Sequence, residues 1–340
     1  MAKATKKTTK KSAKADIFKN ILPVAQTLED SFSNIKTRIP TGNIIWDIIM
    51  GGGIPVGRMI ELSGFNGTGK SECLQIMAKA FLDYGGYAVI QDVEMAYDSE
   101  YIQKKGIDPK ELMITNPTTL NESLDQMEKL LDREWDKPIL IGIDSVAALG
   151  IEGQSLEEIL KQAYPKEAKA WTTWFRNRSI PSRVKLANAT IVFTNQTRKP
   201  LNAGIFLSDA DYATFAGEAI KYYSSARLYI KKGATIKEKV NGVDKKTGFW
   251  MVITAIKSRV EKPFLKFRIP FKYGQNWDNE LTVMSFLIDD GIAAKIKGKS
   301  TKTYTLPFAE GEFTEKGLYK ALQDDTEFYD KCVKYIKENI

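Results

Sequence analysis

Residues 64–71 read Gly64-Phe65-Asn66-Gly67-Thr68-Gly69-Lys70-Ser71, the spacing G-x-x-x-x-G-K-[ST]. Glycines at these positions let a backbone wrap closely round an anion, with amide hydrogens and a helix N-terminus turned inward. A lysine at the position of Lys70 can reach the β- and γ-phosphates of a nucleotide, and the hydroxyl of Ser71 can ligate Mg2+. Such a pattern carries weight only between a strand and a helix. Both are expected here, a strand over 58–63 and a helix over 70–84; the alternative is a chance glycine-rich turn. Gly64 to Ser71 and the following Glu72 make up the expected nucleotide-contacting run.

Two carboxylates complete this chemistry. Asp144 ends the apolar run Ile139 to Ile143, where an aspartate can hold Mg2+ directly or through water. The alternative is a strand-end cap. Glu94 follows a second expected strand, beside Asp92. A carboxylate at the C-terminal edge of a neighbouring strand can line up a water on a γ-phosphate, or it can be a surface acid. Histidine is absent from all 340 residues. That excludes Ser-His-Asp and Cys-His nucleophilic catalysis and every imidazole-based metal site.

Residues 195–217 form a long excursion after a buried strand, and such excursions inside a compact domain are usually functional. Arg198, Lys199 and Phe206 combine phosphate-pairing cations with an apolar wedge, which suits single-stranded nucleic acid. A solvated lid loop is the plainer reading. The stretch 150–166 is acidic at Glu152, Glu157 and Glu158, and its role is less evident. Trp171, Trp174 and Phe175 stand at i, i+3, i+4, the spacing of a core-facing helix stripe.

The elements that must position these residues alternate from about residue 40 onward. Strands are expected at 58–63, 87–91, 112–115, 138–143 and 190–194, and helices at 70–84, 98–105, 119–134 and 167–187. Apolar strands interleaved with helices imply a mostly parallel sheet covered on both faces, an α/β fold. After Gly217, strands at 227–232 and 249–256 read as antiparallel, with Asn241-Gly242 in the turn region. The expected division is a basic tail (1–15), an N-terminal oligomerisation helix and linker (16–38), a nucleotide-binding core (39–272) and a small C-terminal α/β domain (273–340). In the N-terminal helix, Ile17, Ile21, Leu22, Val24 and Leu28 are available for burial.

Composition adds bounds. The net charge is +8, but Lys3, Lys6, Lys7, Lys10, Lys11 and Lys14 account for six of those charges. The basicity therefore belongs mainly to a tail that reads as disordered, either attracting nucleic acid or solubilising the chain. No apolar run approaches the roughly 18 residues of a membrane span, and no membrane partner is expected. Cys73 and Cys332 form no disulfide framework or zinc spacing, which points to a reducing, cytoplasmic setting.

Several blocks, in order, resemble the bacterial RecA recombinase family over roughly residues 38–335. Ile39-Pro40-Thr41-Gly42-Asn43, Trp46-Asp47-Ile48 and Gly52-Gly53-Ile54-Pro55-Val56-Gly57-Arg58 are similar to the lead-in to its phosphate loop. Asp92-Val93-Glu94-Met95-Ala96-Tyr97-Asp98 resembles the segment of its catalytic glutamate. Ile143-Asp144-Ser145-Val146-Ala147-Ala148-Leu149 resembles its Mg2+ strand, and Phe193-Thr194-Asn195-Gln196-Thr197-Arg198 the start of its second DNA loop.

The resemblance implies a RecA-like P-loop core, with ATP and Mg2+ as cofactors. It also implies a helical homo-polymer on single-stranded DNA that pairs with homologous double-stranded DNA. By position, Glu94 would activate the attacking water and Gln196 would sense the γ-phosphate. Asp98 and Tyr101 would contact adenine. Lys257 and Arg259 match two lysines that reach ATP across the subunit interface, the second being arginine here, a planar fork with the same charge. Arg198 and the segment to Gly217 would bind DNA, helped by Arg176 or Arg178. The acidic first loop departs from the family's pattern. The compact form and lack of histidine fit a divergent member, of bacterial or phage origin. A hexameric helicase or motor on the same core, and a nonenzymatic ATP-stabilised DNA-coating protein, are the alternatives.

Overall fold

A computed structural model describes residues 21–22, 27–28, 31, 34–151, 165–198, 208–209, 212–215, 217–275, 277–299 and 301–339. Two units are distinguished, Met1–Thr37 and Arg38–Ile340. The basic tail lies outside the described residues, as do Ile17 and Val24 of the expected N-terminal helix and nearly all of the acidic stretch 150–166. In the first unit, Ile21 is helical among the described residues.

The second unit is built on a sheet of eight strands side by side. The first parallel strands are β3 (Met59–Gly64), β4 (Tyr87–Asp92), β5 (Leu112–Thr115), β6 (Ile139–Asp144) and β7 (Ala189–Arg198). A hairpin, β9 (Ala226–Val240) and β10 (Val243–Ser258), and β11 (Lys266–Lys272) extend the sheet, giving the order β11-β10-β9-β3-β7-β6-β4-β5. Pairings from β9 to β5 are parallel, and β9-β10 and β10-β11 are antiparallel. Short β1 (Arg38–Ile39) and β2 (Ile54–Pro55) pair with each other, and β8 (Ala213–Thr214) pairs back on β7.

The apolar runs explain the layering. β6, Ile-Leu-Ile-Gly-Ile-Asp, is buried at every position, as a strand covered on both faces must be. Helix α2 (Lys70–Asp83) crosses close to β6. A Cβ on Gly142 would meet Leu74 Cδ1 at 2.8 Å, so glycine here permits the helix to approach. On the other side, Trp171, Trp174 and Phe175 are buried, and the rings of Trp171 and Phe193 meet edge to face at 5.7 Å. The i, i+3, i+4 stripe is core packing.

Further helices among the described residues of this part are α1 (Ile44–Ile49), α3 (Ser99–Lys104), α4 (Leu120–Leu131), α5 (Pro165–Asn177), α6 (Ile180–Leu186) and α7 (Gly217–Tyr223). The single helix expected over 167–187 is thus two. Ser179 takes a left-handed φ of 50°, and Pro181 stands in the first turn of α6. Proline has no N–H for a continuing ladder and is tolerated only in a first turn. Strand β7 also continues past its expected end, so Asn195 to Arg198 are extended and paired rather than part of a loop.

At the C-terminal end, β12 (Ala294–Lys295), β13 (Thr303–Leu306) and β14 (Ala309–Thr314) form a small antiparallel sheet. Helices α8 (Asn279–Asp289), α9 (Glu315–Asp324) and α10 (Thr326–Asn339) accompany it. Among the described residues, no helix is long and apolar enough to cross a membrane. Cys73 and Cys332 are both buried and free.

Candidate nucleotide-binding site

Four adjacent strands, β3, β7, β6 and β4, end at the same edge of the sheet. The register sets Gly64 opposite Gln196 and Asp92 opposite Asp144. Residues far apart in the chain thereby converge on a cavity of about 290 Å³. Its lining includes Asn66, Gly67, Gly69 to Glu72, Glu94, Tyr101, Asp144 and Gln196. It also includes Ser145, Phe249, Phe271 and Tyr273, which the sequence reading did not single out.

The glycine-rich run turns from β3 into α2 with Gly67 at φ 69° and Gly69 at φ 93°, conformations that favour glycine. Around Gly67 no atom lies within 4 Å of an added Cβ, which leaves the cradle open. Thr68 Oγ1 donates to the Phe65 carbonyl at 2.9 Å and closes the turn. The Lys70 ammonium folds over the loop, donating to the carbonyls of Phe65 (2.9 Å) and Gly64 (3.2 Å). Burial pushes Lys70 below the ordinary lysine value, while Asp144 and Glu94 pull it back.

Asp144 is nearly buried and accepts from Thr194 Oγ1 at 2.6 Å and from the Tyr97 hydroxyl at 3.0 Å. Burial raises its pKa, with hydrogen bonds from Thr194, Ser71 and Tyr97 opposing. The Ser71 hydroxyl and the Asp144 carboxylate are thus in contact, two hard oxygens of the type magnesium takes. Glu94 sits on an exposed turn at this edge and accepts from Ser145 Oγ at 2.7 Å. Asp92 shapes that turn, its oxygens accepting from the amides of Ala96 (3.0 Å) and Tyr97 (3.1 Å).

The donor set fits a nucleoside triphosphate with magnesium. Backbone amides at a helix start and Lys70 suit phosphate oxygens, and Ser71 and Asp144 suit the ion. Tyr101, Phe249, Phe271 and Tyr273 give the same cavity an aromatic wall suited to a base. The last three come from β10, β11 and the segment after it. Nothing local in the sequence could have marked them.

Other expected site residues lie elsewhere. Asp98 does not line the cavity; it caps α3, accepting from the Tyr101 amide at 2.9 Å, and so fixes the helix that carries Tyr101. Phe65 faces out of the loop against Tyr212, with ring centroids 5.3 Å apart. Arg178 pairs with Glu128 at 3.2 Å and lines a separate, larger and more open groove between α4 and α5. Arg176 is exposed on α5. Gly217 starts α7 at φ 63°, where a Cβ would come within 3.0 Å of Ala168 Cβ, so close packing calls for glycine there. Arg198 ends β7 two residues past Gln196 and lies over the Phe215 ring at 3.9 Å. Lys199 and Phe206 lie outside the described residues.

Lys257 and Arg259 are at the opposite end of the sheet. The register places Lys257 beside Arg227 and Ala226 beside Ile60, whereas the phosphate loop leaves β3 beside Ile230. The Lys257 ammonium donates to the carbonyls of Lys221 (2.6 Å) and Tyr222 (2.8 Å). Burial, with repulsion from Arg259 and Arg227, lowers its pKa to about 8.

A buried polar chain holds the root of the 195–217 segment. Glu61, fully buried in β3, pairs with Arg227 at 2.5 Å and accepts from Asn195 Nδ2 at 2.9 Å. Asn195 also bonds both backbone groups of Phe215, at 3.0 and 3.2 Å, closing the segment's two ends on each other. Removing one partner of a buried pair leaves an uncompensated charge. Arg227→Met is therefore expected to cost about 3–5 kcal/mol, read from the urea midpoint. A change below about 1 kcal/mol would mean that Glu61 is balanced without Arg227.

Comparison with known proteins agrees with this architecture. A family model described as the RecA N-terminal domain matches residues 5–278. The chain is 30% identical over 304 residues to Protein RecA of Rhodococcus opacus, covering 89% of this chain and 83% of that protein. Protein RecA of Kineococcus radiotolerans is 30% identical over 306 residues and that of Nocardia farcinica 30% over 304, with the same coverage. With the phosphate loop, the strand-end acids and the sheet order in place, the chain belongs to the RecA family.

Proposed function

We propose that this chain is an ATP-dependent recombinase that assembles as a helical polymer on single-stranded DNA and promotes pairing with homologous duplex. RecA-family proteins are ATPases, which fits the cavity. The observation that carries the reading is the split of the cationic residues. Lys70 is in the cavity, whereas Lys257 and Arg259 stand at the other end of the sheet. A second copy can bring that pair to the first copy's cavity, so nucleotide binding and polymerisation become one event.

Bound Mg2+-ATP supplies an electrophilic terminal phosphoryl group and neutralises developing charge. Gly67, Gly69 and the start of α2 orient the phosphates with backbone amides, and Lys70 leaves its loop carbonyls for phosphate oxygens. Ser71 and Asp144 would hold the ion. Glu94, kept in place by Ser145, takes the proton of the attacking water at its free carboxylate oxygen. Gln196 passes the state of the cavity along β7 to Arg198 and the DNA-binding segment. Protein contacts are mainly to the DNA backbone, and sequence is read by base pairing.

Strand exchange with homologous and heterologous duplex tests the reading: product is expected only with the homologue. ATP turnover without exchange, on closed rings in electron micrographs, would indicate a motor instead. Coating of DNA without turnover would indicate a nonenzymatic protein.

Lys257 gives a pH test of assembly. In a free protomer its cation is lost as pH rises through about 8, and contact with phosphate holds the proton on. Assembly therefore takes up a proton above about pH 8 and none well below it. ATP-dependent assembly should be flat from about pH 6.5 to 7.5, then weaken by up to about tenfold per pH unit above 8. Lys257→Arg should remove the slope, since guanidinium stays charged. Light scattering against pH reads both; the same slope in the arginine variant would take Lys257 out of the interface.

A further inference from the structure

Lysine is almost never fully buried without a partner, yet the Lys105 side chain is 1% exposed. It follows α3 as the C-cap residue. Its ammonium lies 2.5 Å from Glu72 Oε2 and donates to the Gln275 carbonyl at 3.0 Å. The ring centroids of Tyr101 and Phe271 are 5.2 and 5.1 Å away. The other Glu72 oxygen accepts the Tyr101 hydroxyl. Glu72, Tyr101, Phe271 and Tyr273 all line the nucleotide cavity; Lys105 stands behind them.

One ammonium thus ties together three elements that border the cavity: the start of α2 through Glu72, α3, which carries Tyr101, through its own backbone, and the segment after β11 through Gln275. A buried ion pair generally gives little net stability over an apolar replacement of similar volume, so stability alone does not account for this one. Its geometry fixes a wall. We propose that Lys105 is a positioning residue for the nucleotide base, holding Tyr101 and the Phe271–Tyr273 segment at the spacing a base requires and taking no part in phosphate binding. This rests on the nucleotide-binding reading above.

The test compares a ligand with a base and one without, using full-length protein with magnesium: ADP and inorganic tripolyphosphate, each titrated by calorimetry. Lys105→Met keeps the stem and removes the charge. It is expected to weaken ADP about tenfold or more, the scale of a lost charge-assisted contact network, and to change tripolyphosphate by less than about threefold. Because Lys105→Met leaves the half-buried Glu72 carboxylate without its cation, the double variant Glu72→Gln/Lys105→Met is the companion. The amide oxygen that Glu72→Gln introduces can still accept from Tyr101, so thermal stability should recover while ADP binding stays weak.

Full recovery of ADP affinity in the double variant would overturn the proposal, because only charge imbalance would then have mattered. An equal loss for both ligands in the folded double variant would do the same, as would unchanged ADP binding in Lys105→Met. If the unmodified protein bound neither ligand, the nucleotide reading itself would fall.

Discussion

Lys70→Ala is expected to lower kcat/KM for ATP hydrolysis by roughly 10²–10³-fold, the scale of removing one preorganised charge-stabilising donor. Among the described residues that line the cavity, Lys70 is the one cation, and it is positioned before ligand arrives by the carbonyls of Gly64 and Phe65. Burial already disfavours its charged form, with Asp144 and Glu94 opposing. Phosphate oxygens offer stronger partners than two carbonyls, so the ammonium gains most where transition-state charge develops. Its present hydrogen bonds are to loop carbonyls, and the fold should survive their loss. A steady-state ATPase assay with a thermal melt checks both parts. Full turnover in a folded variant would remove Lys70, and with it the assigned site.

Glu94→Gln is expected to lower DNA-stimulated turnover by about 10²–10⁴-fold, the usual contribution of a general base. Filaments should still form with ATP. Glutamine keeps an oxygen that can accept from Ser145, now 2.7 Å from the carboxylate, so the turn need not move. What it lacks is a group that can take a proton from water. ATPase rates and electron microscopy on the same preparation separate the outcomes. Loss of turnover with filaments intact supports the base; loss of both would show that Glu94 holds the turn or the subunit contact.

Much of the core could be read from local pattern. Apolar runs predicted β3, β4, β5 and β6 within a residue, because a strand covered on both faces has nowhere to put a polar side chain. Trp171, Trp174 and Phe175 were legible as core from their spacing alone. The break at Ser179 was not, although Pro181 was visible, because a proline there is equally compatible with a kinked helix. The continuation of β7 through Arg198 was also missed. Its terminal pairing with β8 is made by residues across a long sequence gap, and polar residues there look like a loop.

The glycine-rich run, the acids at strand ends and their order along the chain were determined by sequence. Such motifs depend on backbone conformation and strand-to-helix succession, which neighbouring residues set. Tertiary structure decided what surrounds them. The aromatic wall of Phe249, Phe271 and Tyr273 and the placement of Lys257 and Arg259 away from the phosphate loop follow from sheet order and register, and the contact of buried Lys105 with Glu72 follows from the packing of two helices. Register is a relation between distant segments, and a shift of one residue would turn strand side chains such as Phe249, Phe271 and Lys257 to the other face.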